Sequence, residues 1–259
     1  MKKWLIILMA LVVLSGAAGA ADDFRVTILY DNTVFTPGTK ADWGFACLIE
    51  GADKTILFDT GTQPDILRHN LEALEIDVNK VDQVVISHEH GDHTGGLWFF
   101  LDKKAGVPVY FPASFSSGFG RRVESAGAGA VRVTDPQEIC KDIWVTGEIK
   151  GPANELGIIL DTGQGLVVIT GCAHPGIAGI VKHARSALDK DVYFVFGGFH
   201  LMQHSKVEVD AIIEQFAEAG VRKCGATHCT GEQQIEWFRQ AYGENFVGMG
   251  VGRVIRIAK

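Results

Sequence analysis

From residue 24 onward the apolar positions follow two rhythms. Phe24 to Tyr30, Phe45 to Ile49, Thr55 to Phe58 and Val84 to Ile86 are short β-branched or aromatic runs bounded by turn residues, a pattern that predicts strands. Pro64 to Glu75 instead spaces Ile66, Leu67, Leu71 and Leu74 as on a helix face, with Pro64 in the first turn, so a helix interrupts the strands. Between Val107 and Thr170 further short strands are predicted in PVYF, AVRV, IWVT, LGIIL and LVVIT. The last two are joined through Asp161 to Gly165 (DTGQG) as a hairpin. Beyond Ile177 helix alternates with strand: helix Ile177 to Leu188, strand Val192 to Phe196, helix Val207 to Ala219, a short strand, helix Glu232 to Tyr242 and a last strand Arg253 to Ile257. Strand-rich halves with helices outside predict two stacked sheets flanked by helices, in one α+β domain from residue 21 to 259.

The start of the chain follows a different logic. Lys2 and Lys3 precede an uncharged apolar run, Trp4 to Leu14, and small residues ending at Ala20, which is the make-up of a secretory signal peptide over residues 1–20. The run is well short of the ~20 residues that span a bilayer. The expectation is therefore an exported protein, periplasmic or extracellular, with no membrane attachment after cleavage. Removing two lysines and no acid moves the net charge from −7 to more negative values, which argues against a broad nucleic-acid-binding face. Cys47, Cys140, Cys172, Cys224 and Cys229 are odd in number and scattered, so at least one thiol has no intrachain partner.

The chemistry concentrates in VVISHEHGDHTGG, Val84 to Gly96, where an apolar strand runs into a loop holding His88, His90, Asp92 and His93. At a strand end, residues two apart point the same way, so His88 and His90 can reach one ion. The turn at Gly91 carries Asp92 and His93 toward a neighbouring position. Imidazole with carboxylate suits zinc, and iron or manganese is also compatible.

This loop resembles the metallo-β-lactamase superfamily. Further matches are LFDTG (Leu57 to Gly61), GLVVITGCAHPGI (Gly165 to Ile177), GGFHL (Gly197 to Leu201) and THCTG (Thr227 to Gly231), most like the branch named for dihydropterin ribofuranosylaminobenzene phosphate synthase. The resemblance implies a four-layer αββα sandwich with one or two metals at the sheet edge. It implies His88 and His90 as ligands of a first metal, Asp92 and His93 as ligands of a second, and His228 as the last histidine ligand. Where the superfamily places a further histidine and an aspartate, this chain has Asn154 or Glu155, and Cys172. His174 is the choice to complete the site, with Cys172 as a softer alternative or additional ligand. Asp59, heading DTG, is expected to accept the spare N–H of a ligating imidazole.

His200 follows an apolar strand through two glycines and can reach the same edge as ligand, proton donor or substrate contact. His204 is expected to face solvent, and His69 and His183 to lie on helix surfaces. Trp98 to Phe100 with Phe111, Phe115 and Phe119 form core or an apolar lip, and Arg121 and Arg122 either grip a substrate anion or face solvent. The leading functional expectation is a hydrolase using a metal-activated hydroxide on a small-molecule ester, amide or phosphoester, with Asp92 and His200 as catalytic groups. Two alternatives remain: a synthase or transferase acting on a phosphorylated sugar or pterin precursor, and a periplasmic metal-binding protein without turnover.

Overall fold

The computed structural model describes residues 23–259, and the segment read as an export signal lies outside the described residues. The chain builds β1 (Phe24–Tyr30), β2 (Ala46–Glu50), β3 (Ile56–Phe58), β4 (Gln83–Val85), β5 (Pro108–Pro112) and β6 (Gly129–Val133). It continues with β7 (Gln137–Cys140), β8 (Ile143–Val145), β9 (Ile158–Thr162), β10 (Gly165–Thr170), β11 (Val192–Gly198), β12 (Lys223–Thr227) and β13 (Val254–Ile257). One sheet has the order β13-β1-β2-β3-β4-β5-β6 and the other β12-β11-β10-β9-β8-β7. Strands β3 to β6 run parallel, as do β10 to β12, so one end of each sheet gathers the loops that follow strand C-termini.

Strand alternation explains the layering, since successive side chains leave a strand on opposite faces. In β2, Cys47 and Ile49 enter the layer between the sheets, where they join Phe58, Val145, Ile158, Val167, Ile169 and Phe196. Ala46 and Leu48 face the other way, into a second cluster with Leu67, Leu71, Leu97 and Phe100. That cluster is covered by α1 (Pro64–Ala73), α3 (Leu97–Lys103) and α4 (Ser117–Ser125), with the four-residue α2 (Gly91–Thr94) between α1 and α3 in the chain. In β10, Leu166 and Val168 turn outward beneath α5 (Ile177–Leu188), α6 (Lys206–Glu218) and α7 (Glu232–Tyr242). The result is the expected αββα sandwich in a single domain.

The sequence pattern located most elements within a residue or two, including the hairpin in which Thr162 pairs with Gly165. Four elements lay outside it: β7, whose Gln137 and Glu138 are exposed, and the short helices α2, α3 and α4. Trp98 to Phe100 belong to α3. Phe100, Phe111, Phe115 and Phe119 are buried in the second cluster, so the aromatic segment is core and not a lip. Arg122 lies 3.8 Å over the Trp98 ring, a cation–π contact that engages it structurally. All five cysteines are free and buried.

Candidate metal centre

Strand ends deliver each side chain of the site. After β4 come Ser87, His88 and His90. α2, which begins just past His90, presents Asp92 and His93, and the loop after β10 brings Cys172 and His174. Behind β12 a 3-10 turn, His228–Thr230, carries His228. The donor atoms fall into two sets, each within 4.8 Å: His88, His90 and His174, and Asp92, His93, Cys172 and His228. Every ligand expected from the sequence lies in one of these sets. His174 completes the first, and Cys172 enters the second, where the sequence alone had left its part open.

Asn154 and Glu155 lie outside both sets. Asn154 donates to Glu148 at 2.8 Å. Glu155 is fully buried and accepts the backbone N–H groups of Cys172, Ala173 and His174 at 2.8 to 2.9 Å. Burial raises its carboxyl pKa, and the three N–H bonds oppose that rise. Its part is to shape the loop that presents Cys172 and His174.

Hydrogen bonds fix which nitrogen each imidazole turns inward. Buried Asp59 accepts the His93 Nδ1–H at 2.7 Å and, on the same oxygen, the Ser87 hydroxyl at 2.7 Å. Ser87 Oγ in turn accepts His88 Nδ1–H at 2.9 Å. Both rings therefore present Nε2 to the centre, in the way a carboxylate orients a ligating histidine. His228 donates Nδ1–H to Asn32 Oδ1 at 3.0 Å. Trp43 donates Nε1–H to Asp92 Oδ2 at 2.9 Å. The expected role of Asp59 thus matches the geometry, while Ser87, Asn32 and Trp43 have no motif that announces them. The fit is tight behind the donors as well, because a Cβ on Gly171 would run into Ser87 Oγ and come within 2.9 Å of Asp59 Oδ2.

Two of the nitrogens facing the centre lack protein hydrogen-bond partners. His174 Nε2 and His228 Nε2 are buried without a hydrogen bond, although a buried polar atom left unpaired costs about 1–3 kcal/mol. His88 Nε2 faces His90 Nδ1 at 3.1 Å, and His93 Nε2 stands 3.2 Å from Cys172 Sγ. Burial, then the neighbouring rings, pushes the His88 pKa well down, and burial leads the lowering of His174 and His228 to about 4. Neutral imidazoles are ligating imidazoles. Burial disfavours the His93 imidazolium too, but Asp59 outweighs it and pushes that pKa up to about 10. Burial works against the Asp92 anion, yet the imidazoles of His228 and His93, with Nε2 at 3.3 and 3.5 Å from Oδ2, hold its pKa well below the usual carboxylate range. Inward lone pairs on His88, His174 and His228, an anionic carboxylate and a thiol form a donor set that fits divalent metal, and a bound metal would replace the proton that His93 Nε2 otherwise holds.

His200 is exposed, with its ring centroid 4.3 Å from that of His174, and belongs to neither donor set. It shares a cavity with His204 and Cys229. His69 and His183 lie on α1 and α5 and make bonds to the carbonyls of Gly38 and Thr146. Four residues beside the centre, Asp59, Ala173, His200 and His228, hold left-handed backbone at φ 51 to 61° without being glycine, strain of the kind that gathers at functional sites.

The chain is 28% identical to the 7,8-dihydropterin-6-methyl-4-(β-D-ribofuranosyl)-aminobenzene-5′-phosphate synthase of Methanocaldococcus jannaschii, over 92% of this chain and 98% of that one. It superposes on a solved metal-dependent hydrolase of the β-lactamase superfamily with a TM-score of 0.76 and 27% identity, over 91% of this chain and all of the other. The metallo-β-lactamase fold protein YhfI of Bacillus subtilis shares the fold at a TM-score of 0.66 and 16% identity, over 91% and 99% of the two chains. The metallo-β-lactamase superfamily model matches residues 44–186, which include the first donor loop, Glu155, Cys172 and His174. With these motifs, this sandwich and these paired donor sets, the chain belongs to the metallo-β-lactamase superfamily.

Proposed function

We propose that this protein is a metal-dependent hydrolase that opens an ester, amide or phosphoester bond of a small molecule at the edge where the two donor sets meet. The observation that carries this reading is the pair of adjacent donor sets whose nitrogens, sulfur and carboxylate face one another. Held by His88, His90 and His174 and by Asp92, His93, Cys172 and His228, a divalent metal would supply Lewis-acid polarisation of the bond and acidify water to a pKa of ~7. The side chains do the rest. Trp43, His93 and His228 all approach Asp92 through Oδ2, at 2.9 to 3.5 Å. Oδ1 is thereby left to orient the attacking water, whose proton passes to exposed His200. His200, exposed beside His174, holds the substrate or returns a proton to the leaving group.

Zinc, one ion per set, suits a mixture of imidazole, carboxylate and thiol, with iron and manganese as the rivals. Residues 1–20 are the basis for proposing export, with a mature N-terminus near Ala21. A second reading, a synthase or transferase acting on a phosphorylated sugar or pterin precursor, draws its support from the 28% identity to the archaeal synthase. Export speaks against it, because such precursors are expected inside cells. Elemental analysis together with turnover on a panel of esters, amides and phosphoesters tests the reading. Metal with hydrolysis upholds it, group transfer without hydrolysis favours the synthase, and metal without turnover leaves a metal-binding protein.

A further inference from the structure

Beside the metal centre lies a cavity of about 540 Å³, within the range of pockets that enclose small ligands. His228 and Asn32 line its inner end, so it opens directly onto the second donor set. Few large apolar side chains are exposed among the described residues, and two of them, Trp43 (44%) and Met202 (56%), line this one cavity. Exposed apolar surface gathered at one mouth marks a binding surface, in contrast to single scattered side chains. Trp43 also touches the centre itself, with its ring centroid 4.8 Å from that of His228.

The cavity's two charged lining residues both lie on α7, the carboxylate Glu232 in its first turn and the guanidinium Arg239 two turns on. Arg239, on α7, lines the same cavity with its guanidinium carbon 4.6 Å over the Phe246 ring. Its Nε pairs with Glu236 at 3.2 Å, and among the described residues its two terminal NH₂ groups make no hydrogen bond. A guanidinium held flat on an aromatic face with its fork free suits a carboxylate or phosphate. From Gly231, at the start of α7, to Arg239 the helix rises roughly 12 Å at ~1.5 Å per residue.

We propose that this cavity binds the part of the substrate remote from the cleaved bond and selects an elongated aryl anion. Such a substrate has its hydrolysable group at the donor sets, a flat apolar body between Trp43 and Met202, and an anionic group that reaches Arg239. This inference rests on the hydrolytic reading for the cleaved bond, but binding can be measured without turnover. The test is calorimetric titration of the metal-loaded full chain with biphenyl-4-carboxylate and with the uncharged biphenyl-4-methanol. The carboxylate is expected to bind about tenfold tighter, the worth of roughly 1.4 kcal/mol. Arg239→Gln removes that preference, and Trp43→Ala weakens both probes. If Arg239→Gln binds the carboxylate as tightly as the unaltered protein does, or if neither probe binds, the assignment is overturned. Binding through Arg239 in a protein that hydrolyses nothing sustains the cavity and refutes the hydrolytic reading alone.

Discussion

His88, His90 and His174 form an all-imidazole set in which His90 is exposed and His174 half-buried, whereas Asp92, His93, Cys172 and His228 mix oxygen, nitrogen and sulfur and are buried except for Asp92. The bracing differs in the same sense. In the first set His88 is oriented through Ser87, while in the second Asp59, Asn32 and Trp43 each hold a different member. Outer partners of this kind tune affinity, and donor type tunes selectivity. The contrast predicts a weaker, faster-exchanging grip on metal in the open set and a tighter, more selective one in the closed set, which also borders the substrate cavity.

The largest effect is expected from Asp92→Ala, which removes a donor of the closed set and the oxygen assigned to the attacking water. Turnover should fall by more than the roughly 100-fold limit typical of an outer-partner change, with one metal equivalent lost per chain. Equal metal content and turnover would end the assignment. Next comes Asp59→Asn, which disturbs His93 directly and His88 through Ser87. Metal affinity should drop by about 10–100-fold in both sets, whereas Ser87→Ala should weaken the open set alone. Competition titration with a chromophoric chelator separates the two cases.

Cobalt substitution sharpens the contrast further. A thiolate in the closed set gives a sulfur-to-cobalt charge-transfer band that Cys172→Ser should abolish and His90→Ala should preserve. If the band survives in Cys172→Ser, the thiol is no ligand. Glu155→Gln should lower stability by about 1–3 kcal/mol, because a charged acceptor of three buried N–H groups becomes neutral. Chemical denaturation measures this. The smallest effect is expected from Arg122→Ala, which loses about 0.5–1 kcal/mol of cation–π contact with Trp98 and leaves turnover untouched. A change in KM would revive an anion-binding role for that arginine.

How legible each part is depends on the distance over which its reason acts. The strands β1, β2 and β10 are plain because each is a short apolar run bounded by turn residues and buried on both faces. α3 and α4 are too short, and too rich in aromatic or small residues, to show a period. His88, His90, Asp92 and His93 announce themselves because four donors crowd one loop after an apolar strand. Asn32 does not, since its partner His228 is 196 positions away and no local pattern links them. Cys172 reads as one more buried thiol until the fold sets it beside His93. Glu155 looks like an occupant of a ligand position because it falls where the superfamily pattern carries a histidine, whereas its carboxylate is spent on three backbone amides.

Those three amides form a concave backbone cradle of the kind that elsewhere grips phosphate, and here the chain fills it with its own carboxylate. The timing of assembly follows. Glu155 lies in the connection between β8 and β9, and the loop it shapes follows β10, so the positions of Cys172 and His174 wait on the second sheet. During synthesis the His88 to His93 loop emerges long before residues 155 to 174, and longer still before His228. An early-emerging chain can offer a metal only a partial grip, and a full one exists when the last strands have closed. A metal held by the full donor sets would therefore be loaded by the finished fold, and the compartment in which folding is completed would set which ions compete for the site.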